Sequence, residues 1–264
     1  MEPQEIADLY STHDGHNDAV AYLSEHGLLE LVGVGSSDPE RFAPDYRDLA
    51  RLHRVIRQRK VFSILEFGLG YSTLVMADAL SKNRHDWHRL AEKPRIRNTS
   101  LFDLYSVDTS ESWIRRTEAM LPDKLRPIIH ICHSHAVAGT FHDRACHYYE
   151  HVPNILPDLV YLDGPDPTDV GGSIRGLAWT NSNRVVMAAD ILSIEPLLLP
   201  GTLVVADGRV ANVRFITSHF YRNWNVAQAA VGDVTVMELQ EAPLGEINHD
   251  ALVFCLGARV EGWA

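Results

Sequence analysis

The run Leu65-Glu66-Phe67-Gly68-Leu69-Gly70-Tyr71-Ser72-Thr73 constrains this chain more than any other stretch. Val61–Phe67 is a short apolar run ending in glycines, which suits a buried strand. Thr73–Leu80 then reads as a helix. Glycines between a strand and a helix let the backbone turn sharply and approach a ligand closely. A lone Gly-x-Gly also fits a tight turn that binds nothing, so the surroundings must decide.

The rest of the chain repeats the alternation. Strands are predicted at Leu101–Val107, Pro127–Cys132, Leu159–Leu162 and Thr202–Ala206, and helices at Ser110–Met120, Val185–Leu192 and Ala211–Phe220. Thr109 or Ser110 can cap the first of these helices, with Glu111 in its first turn. Two or three closely linked strands are predicted in the tail, at Val226–Ala230, Val234–Leu239 and Leu252–Leu256. The pattern implies an α/β fold: a doubly wound, mostly parallel sheet with helices on both faces and an antiparallel edge. Ser81–Ser100 is polar and basic without a clean period, and reads as an insertion or mobile loop. Residues 1–58 read as an N-terminal helical cap, with a Gly/Ser/Pro loop at Gly33–Pro44 and a helix at Tyr46–Gln58. Residues 59–264 form the main domain, and cap and domain make one compact unit.

The formal charge is −11, which repels phosphate backbones and speaks against a nucleic-acid partner. The basic run Arg51, Arg54, Arg57, Arg59, Lys60 reads as the solvated face of a helix. The three cysteines form no Cys-x-x-Cys pair, so neither a disulfide framework nor a cysteine zinc site is suggested, and a reducing, cytoplasmic setting follows. The N-terminus has no apolar signal region and no run reaches membrane-span length, so no membrane partner is expected.

Which nucleotide the glycine turn would take can be narrowed. A phosphate-cradling P-loop needs Gly-Lys-Ser/Thr, and no lysine stands here. A dinucleotide turn needs a third glycine or alanine three residues after the second, where Thr73 stands. Glu66, just before the first glycine, would repel a pyrophosphate and could pair with a cationic ligand. Asp108 closes the second strand, where an acid meets ribose hydroxyls, although it is also placed to cap the next helix.

Glu66-x-Gly68-x-Gly70 after strand one, Asp108 after strand two and Asp163 after strand four together resemble the class I S-adenosylmethionine-dependent methyltransferase pattern, from about Val61 to Phe220. The resemblance implies a seven-stranded sheet with its last strand antiparallel and S-adenosylmethionine as cofactor. It also implies cofactor contacts at Glu66, Gly68, Gly70 and Asp108. Ser72, Thr73 and Asp163 stand beside these as further candidate contacts. Asp163 with Asp207 is similar to the paired acids of metal-dependent O-methyltransferases, where a divalent cation such as Mg²⁺ or Ca²⁺ binds. An asparagine follows the second acid there, whereas Gly208 stands here and speaks against the metal.

His130, His133, His135, His142, His147 and His151 crowd the region after strand three. His133 and His135 could serve as a general base, or as ligands of a zinc whose third ligand no spacing identifies. Tyr148, Tyr149, Trp179 and Trp224 could wall a substrate pocket or simply pack the core. The expected activity is O-methylation of a small-molecule or sugar hydroxyl, with Asp163, His133 or His135 taking the proton. An NAD-dependent oxidoreductase and a non-catalytic cofactor-binding module are the alternatives. Oligomeric state is open, a homodimer being one option.

Overall fold

The computed structural model describes residues 1–11, 16–33, 43–180, 184–230 and 233–263. Most of the loop predicted at Gly33–Pro44 (34–42) lies outside them. Four helices lead into the sheet: α1 Pro3–Ser11, α2 His16–Glu25, α3 Leu29–Gly33 and α4 Tyr46–Gln58. Then follow β1 Ser63–Phe67, α5 Tyr71–His88, β2 Asp103–Asp108, α6 Glu111–Met120 and β3 Ile129–His133. A hairpin comes next, β4 Ala136–Phe141 and β5 Arg144–Tyr149, then β6 Leu159–Leu162 and the two-residue β7 Val170–Gly171. The chain closes with α7 Asp190–Ile194, β8 Leu203–Ala206, α8 Val210–Thr217, β9 Trp224–Gln228, β10 Thr235–Leu239 and α9 Glu246–Leu256.

Seven strands form one sheet in the order β3-β2-β1-β6-β8-β10-β9. All pairs are parallel except those of β10, which runs antiparallel to both β8 and β9. Every residue of β1, β6 and β8 is buried, because helices cover both faces and leave no wet side. Ile64 faces a core shared with Leu52, Ile56, Leu74 and Leu80 from α4 and α5. Leu65 and Phe67 face the opposite core, with Ile191 of α7 and Val213 and Ile216 of α8. Ile6 and Tyr10 of α1 join the first core, so the N-terminal helices pack directly onto the sheet. Strand order reverses between β1 and β6, and there the carboxyl ends of the strands part to leave a crevice.

Four expectations need correcting. Leu252–Leu256 is the end of a helix, α9, because a five-residue apolar run carries no period of its own. Its start is set by Gly245, with the Asn248 side chain accepting from Leu244 N at 2.9 Å. The helix predicted at Val185–Leu192 shrinks to Asp190–Ile194. Ser81–Ser100 is not all loop, since α5 continues to His88. The basic run is not simply solvated: Arg59 is buried and paired with the buried Glu238 at 2.7 Å. Among the described residues, no helix is long and apolar enough to cross a membrane.

Candidate functional site

A cavity of about 410 Å³ opens at the switch point. Its floor is the turn after β1, Gly68 to Ser72, and its walls come from the ends of β2, β6 and β8 and the first turn of α4. Backbone bonds tie the strand ends together: Gly68 N donates to Val107 O at 2.9 Å, Asp163 N to Phe67 O at 2.9 Å, and Asp207 N to Leu162 O at 3.2 Å.

Glu66 does not reach this cavity. It is fully buried on the α5 side of β1, where its carboxyl accepts from Ser72 Oγ at 2.6 Å, Thr73 Oγ1 at 2.8 Å and Ser106 Oγ at 2.5 Å. Burial outweighs these three donors and pushes its carboxyl up to about 8. Hydroxyls can donate or accept, so the cradle holds the neutral acid equally well. The expectation that Glu66 presents a negative charge to the ligand is therefore corrected: it pins α5 and β2 beneath the glycine turn. Thr73 is turned inward by the same contact, and its Oγ1 also accepts from Gly70 N at 3.1 Å. Ser72 lines the cavity, though its hydroxyl too is spent on Glu66.

Asp108 closes β2 and lines the cavity. One carboxylate oxygen accepts from Leu69 N at 3.0 Å and the other from Ser110 N at 2.8 Å, while Ser110 itself caps α6. Asp108 thus fixes the glycine turn and retains lone pairs for ligand hydroxyls. Gly68 has φ +98°, and a Cβ on it would lie 2.9 Å from Gly164 N. A Cβ on Gly164 would lie 2.5 Å from Gly68 N, so the two turns meet backbone to backbone. Around Gly70, by contrast, an added Cβ would meet nothing within 4 Å.

Asp163 follows β6 and is open to the crevice, with protein on its other sides. That confinement, with Asp207 and Asp108 nearby, outweighs the Arg209 guanidinium and pushes its carboxyl up to about 7. Asp207 follows β8 and accepts from Tyr161 Oη at 3.1 Å. Burial and the neighbouring Asp48 push it up to about 6. Asp45 and Asp48 come from the start of α4, where Asp45 caps the helix through Arg47 N at 2.9 Å. With Asp166 and Asp169, seven aspartates line the cavity against a single cation, Arg209, among the described residues. Arg209 donates to the carbonyls of Asp163 and Pro165 and so braces the loop after β6. Tyr161, Trp113, Asp45, Asp48 and Arg209 were not singled out from sequence. The one available signal was position, since Tyr161 and Arg209 flank strand ends that were already flagged.

A sheet of this strand order, with a glycine turn after β1 and aspartates at the ends of β2, β6 and β8, decides the architecture. It agrees with the seven-stranded, mostly parallel sheet that the resemblance to class I methyltransferases implied. No protein-family model matches the sequence, and no curated protein matches it. Similar solved structures include one described provisionally as a caffeoyl-CoA O-methyltransferase from Staphylococcus aureus, at 13% identity over 84% of this chain and 99% of that chain, TM-score 0.48. A methyltransferase from Geobacter sulfurreducens is 14% identical over 85% and 99% of the two chains, TM-score 0.44. A methyltransferase from Podospora anserina bound to S-adenosylhomocysteine is 14% identical over 88% and 99%, TM-score 0.43.

In this fold the histidines fall away from the crevice. His133 ends the edge strand β3, and its Nε2 sits 3.0 Å from Thr109 O. Three strand spacings, about 14 Å, separate β3 from β6, so His133 and Asp163 cannot serve the same proton. His135 stacks edge-on to His133 and is not among the lining residues. His130 stacks on Tyr105, and His147 is buried against Trp179. Of the two readings of the aromatics, core packing holds for Tyr149, which stacks on Phe67, and for Trp224, which stacks on Phe220. Beside the Asp163–Asp207 pair, Gly208 offers no side chain as a further ligand. No group of three or more His, Cys, Asp or Glu is gathered to hold a metal among the described residues.

The buried acids predict the pH dependence of stability. Glu66 at about 8, Asp158 at about 6 and Asp190 at about 7 all lie above their ordinary values, mainly through burial. At these three positions the folded chain holds protons that the unfolded chain has lost, so their contribution to stability is full below about pH 4 and falls as pH rises toward 8. Thermal unfolding should show a lower Tm at pH 8 than at pH 5.5. Glu66→Gln should recover part of the loss, about 2–4 °C for each kcal/mol regained. An equal Tm at both pH values for the unsubstituted chain would contradict this account.

Proposed function

We propose that this chain is an S-adenosylmethionine-dependent methyltransferase that acts on a hydroxyl of a small molecule or a sugar. The observation that carries the proposal is the crevice itself at the switch point: seven aspartates line it, of which Asp45 and Asp48 are paired with Arg47 and Arg51, against one lining arginine. A pyrophosphate would face that field unfavourably, whereas a ligand with a sulfonium and an ammonium is drawn into it. The acids thus take over the role that sequence reasoning gave to Glu66.

The residues fit the cofactor. Gly70 lines the cavity, and a Cβ on it would stand in open space there. The N-terminus of the 18-residue α5 faces the same space and suits a carboxylate. Asp108 is placed for ribose hydroxyls, and Asp163 for the cationic side. When bound, S-adenosylmethionine supplies a methyl group on an electron-poor sulfur. The protein's own contribution is alignment and a base. Asp163, poised near neutral pH and open to the cavity, accepts the proton of the acceptor hydroxyl as the new O–C bond forms. Tyr161 and Asp207, with Asp48 and Asp45 of the cap, line the acceptor side. This gives residues 1–58 a substrate-side role. The negative net charge favours a small acceptor over a nucleic acid.

Calorimetry with S-adenosylhomocysteine and with NAD tests the proposal. Micromolar binding of the former, none of the latter, and a loss of about tenfold or more in Asp108→Ala are expected, each tenfold being about 1.4 kcal/mol. A preference for NAD would make the chain an oxidoreductase candidate. Binding without methyl transfer across a broad acceptor panel would leave a cofactor-binding module.

A further inference from the structure

At the amino end of the sheet, away from the crevice, lies a second cavity of about 200 Å³. Its walls are the rings of Phe62, Trp87, Phe102 and Phe254 with Leu90 and Asn83, and the charged Arg57, Asp86 and Lys60 stand beside them, Asp86 being paired with Arg57. Phe62 meets Trp87 edge-on at 5.2 Å between centroids, and Phe254 stacks on Phe62 at 5.8 Å.

Two of these side chains are placed at a conformational cost. Phe102 has φ +66° and Lys60 has φ +51°, the left-handed region that non-glycine residues avoid. Lys60 follows the end of α4 in a turn where Lys60 N donates to Arg57 O and Val61 N to Ile56 O, both at 3.2 Å. Glycine is the residue that such a turn favours. Lysine there sets its ammonium 4.4 Å from the Phe254 ring centre and 2.8 Å from Phe254 O. Arg57 is committed to Asn83 and Asp86, whereas Lys60 has no carboxylate partner among the described residues. Its ammonium has three donors, of which Phe254 O takes one. Strain of this kind gathers at ligand clamps, and here both strained residues build the same cavity.

We propose that this cavity binds a small aromatic carboxylate, its ring laid against the aromatic cluster and its carboxylate on Lys60 Nζ. The volume lies below the roughly 300–1,000 Å³ of drug-sized sites, so the ligand has one ring or two fused rings. The ammonium selects an anion over a neutral ring.

The test uses the full chain with 4-methylbenzoate and its neutral counterpart 4-methylbenzyl alcohol, read by saturation-transfer NMR and calorimetry. Saturable binding of 4-methylbenzoate is expected at millimolar concentration or below. Lys60→Met should weaken it roughly tenfold, the scale of one charged hydrogen bond, and leave the alcohol unchanged. Lys60 is exposed, so the variant should fold, and its thermal unfolding checks that α9 stays docked. S-adenosylhomocysteine should not displace the ligand. Absence of saturable binding, an unchanged affinity in Lys60→Met, or displacement by S-adenosylhomocysteine would each overturn the proposal.

Discussion

Gly164→Ala is expected to destabilise the chain by about 3 kcal/mol, the upper range for overpacking, and to abolish cofactor binding. Its methyl group would lie 2.5 Å from Gly68 N and 2.7 Å from Gly68 Cα. Both are backbone atoms held in place, since Gly68 N donates to Val107 O and Leu69 N to Asp108. Relief therefore requires the whole glycine turn to move. Gly70→Ala is the informative contrast. Its φ of 178° is ordinary extended backbone, and its methyl group would meet nothing. Stability should stay within about 0.5 kcal/mol, as for substitutions away from packed features, while the methyl group intrudes on the cofactor's space and weakens binding. Urea unfolding and calorimetry with S-adenosylhomocysteine check both. If Gly164→Ala unfolds at the midpoint of the unsubstituted chain, the two turns do not depend on each other.

Asp163→Asn is expected to lower methyl transfer at saturating cofactor by about 10²–10⁴-fold, the usual worth of a general base. The substitution isolates the carboxylate, because the residue's other bonds are made by its main chain: its N–H donates to Phe67 O, and its carbonyl accepts from Arg209. Crevice geometry should therefore survive, and saturating cofactor makes up for affinity lost with the charge. The base works only when deprotonated, so the rate of the unsubstituted enzyme should climb as pH rises through about 7 and then level off. In Asp163→Asn that rise should vanish. Normal turnover in Asp163→Asn, with the pH profile intact, would remove Asp163 from the chemistry.

Much of the fold was legible because parallel strands buried on both faces read as continuous apolar runs, as β1, β6 and β8 do. The hairpin β4–β5 was not. Its turn residues His142 and Asp143 both have positive φ, 45° and 63°, in a two-residue link. Such links are usually written Asn-Gly or Asp-Gly, and here the density of histidines drew attention to chemistry instead. Glu66 was found for the right position and assigned the wrong task, because sequence does not say which face of a strand a side chain leaves by. On β1 it shares a face with Ile64 and meets α5, so its charge is hidden from the ligand. The acids of α4 were invisible for another reason: their nearness to Asp207 is created only when α4 folds back onto the sheet.

The hairpin β4–β5 takes β7 as a third strand beside β4, and this has a consequence for traffic. Past Gly164, seated on Gly68, the chain runs only to Val170 before Val170–Gly171 pairs with Ala136–Val137. That rim of the crevice is stapled at both ends and works as a fixed doorpost. The opposite jamb is the first turn of α4 with Asp45 and Asp48. A change of acceptor would then be sought by exchanging residues there, with the stapled side left untouched.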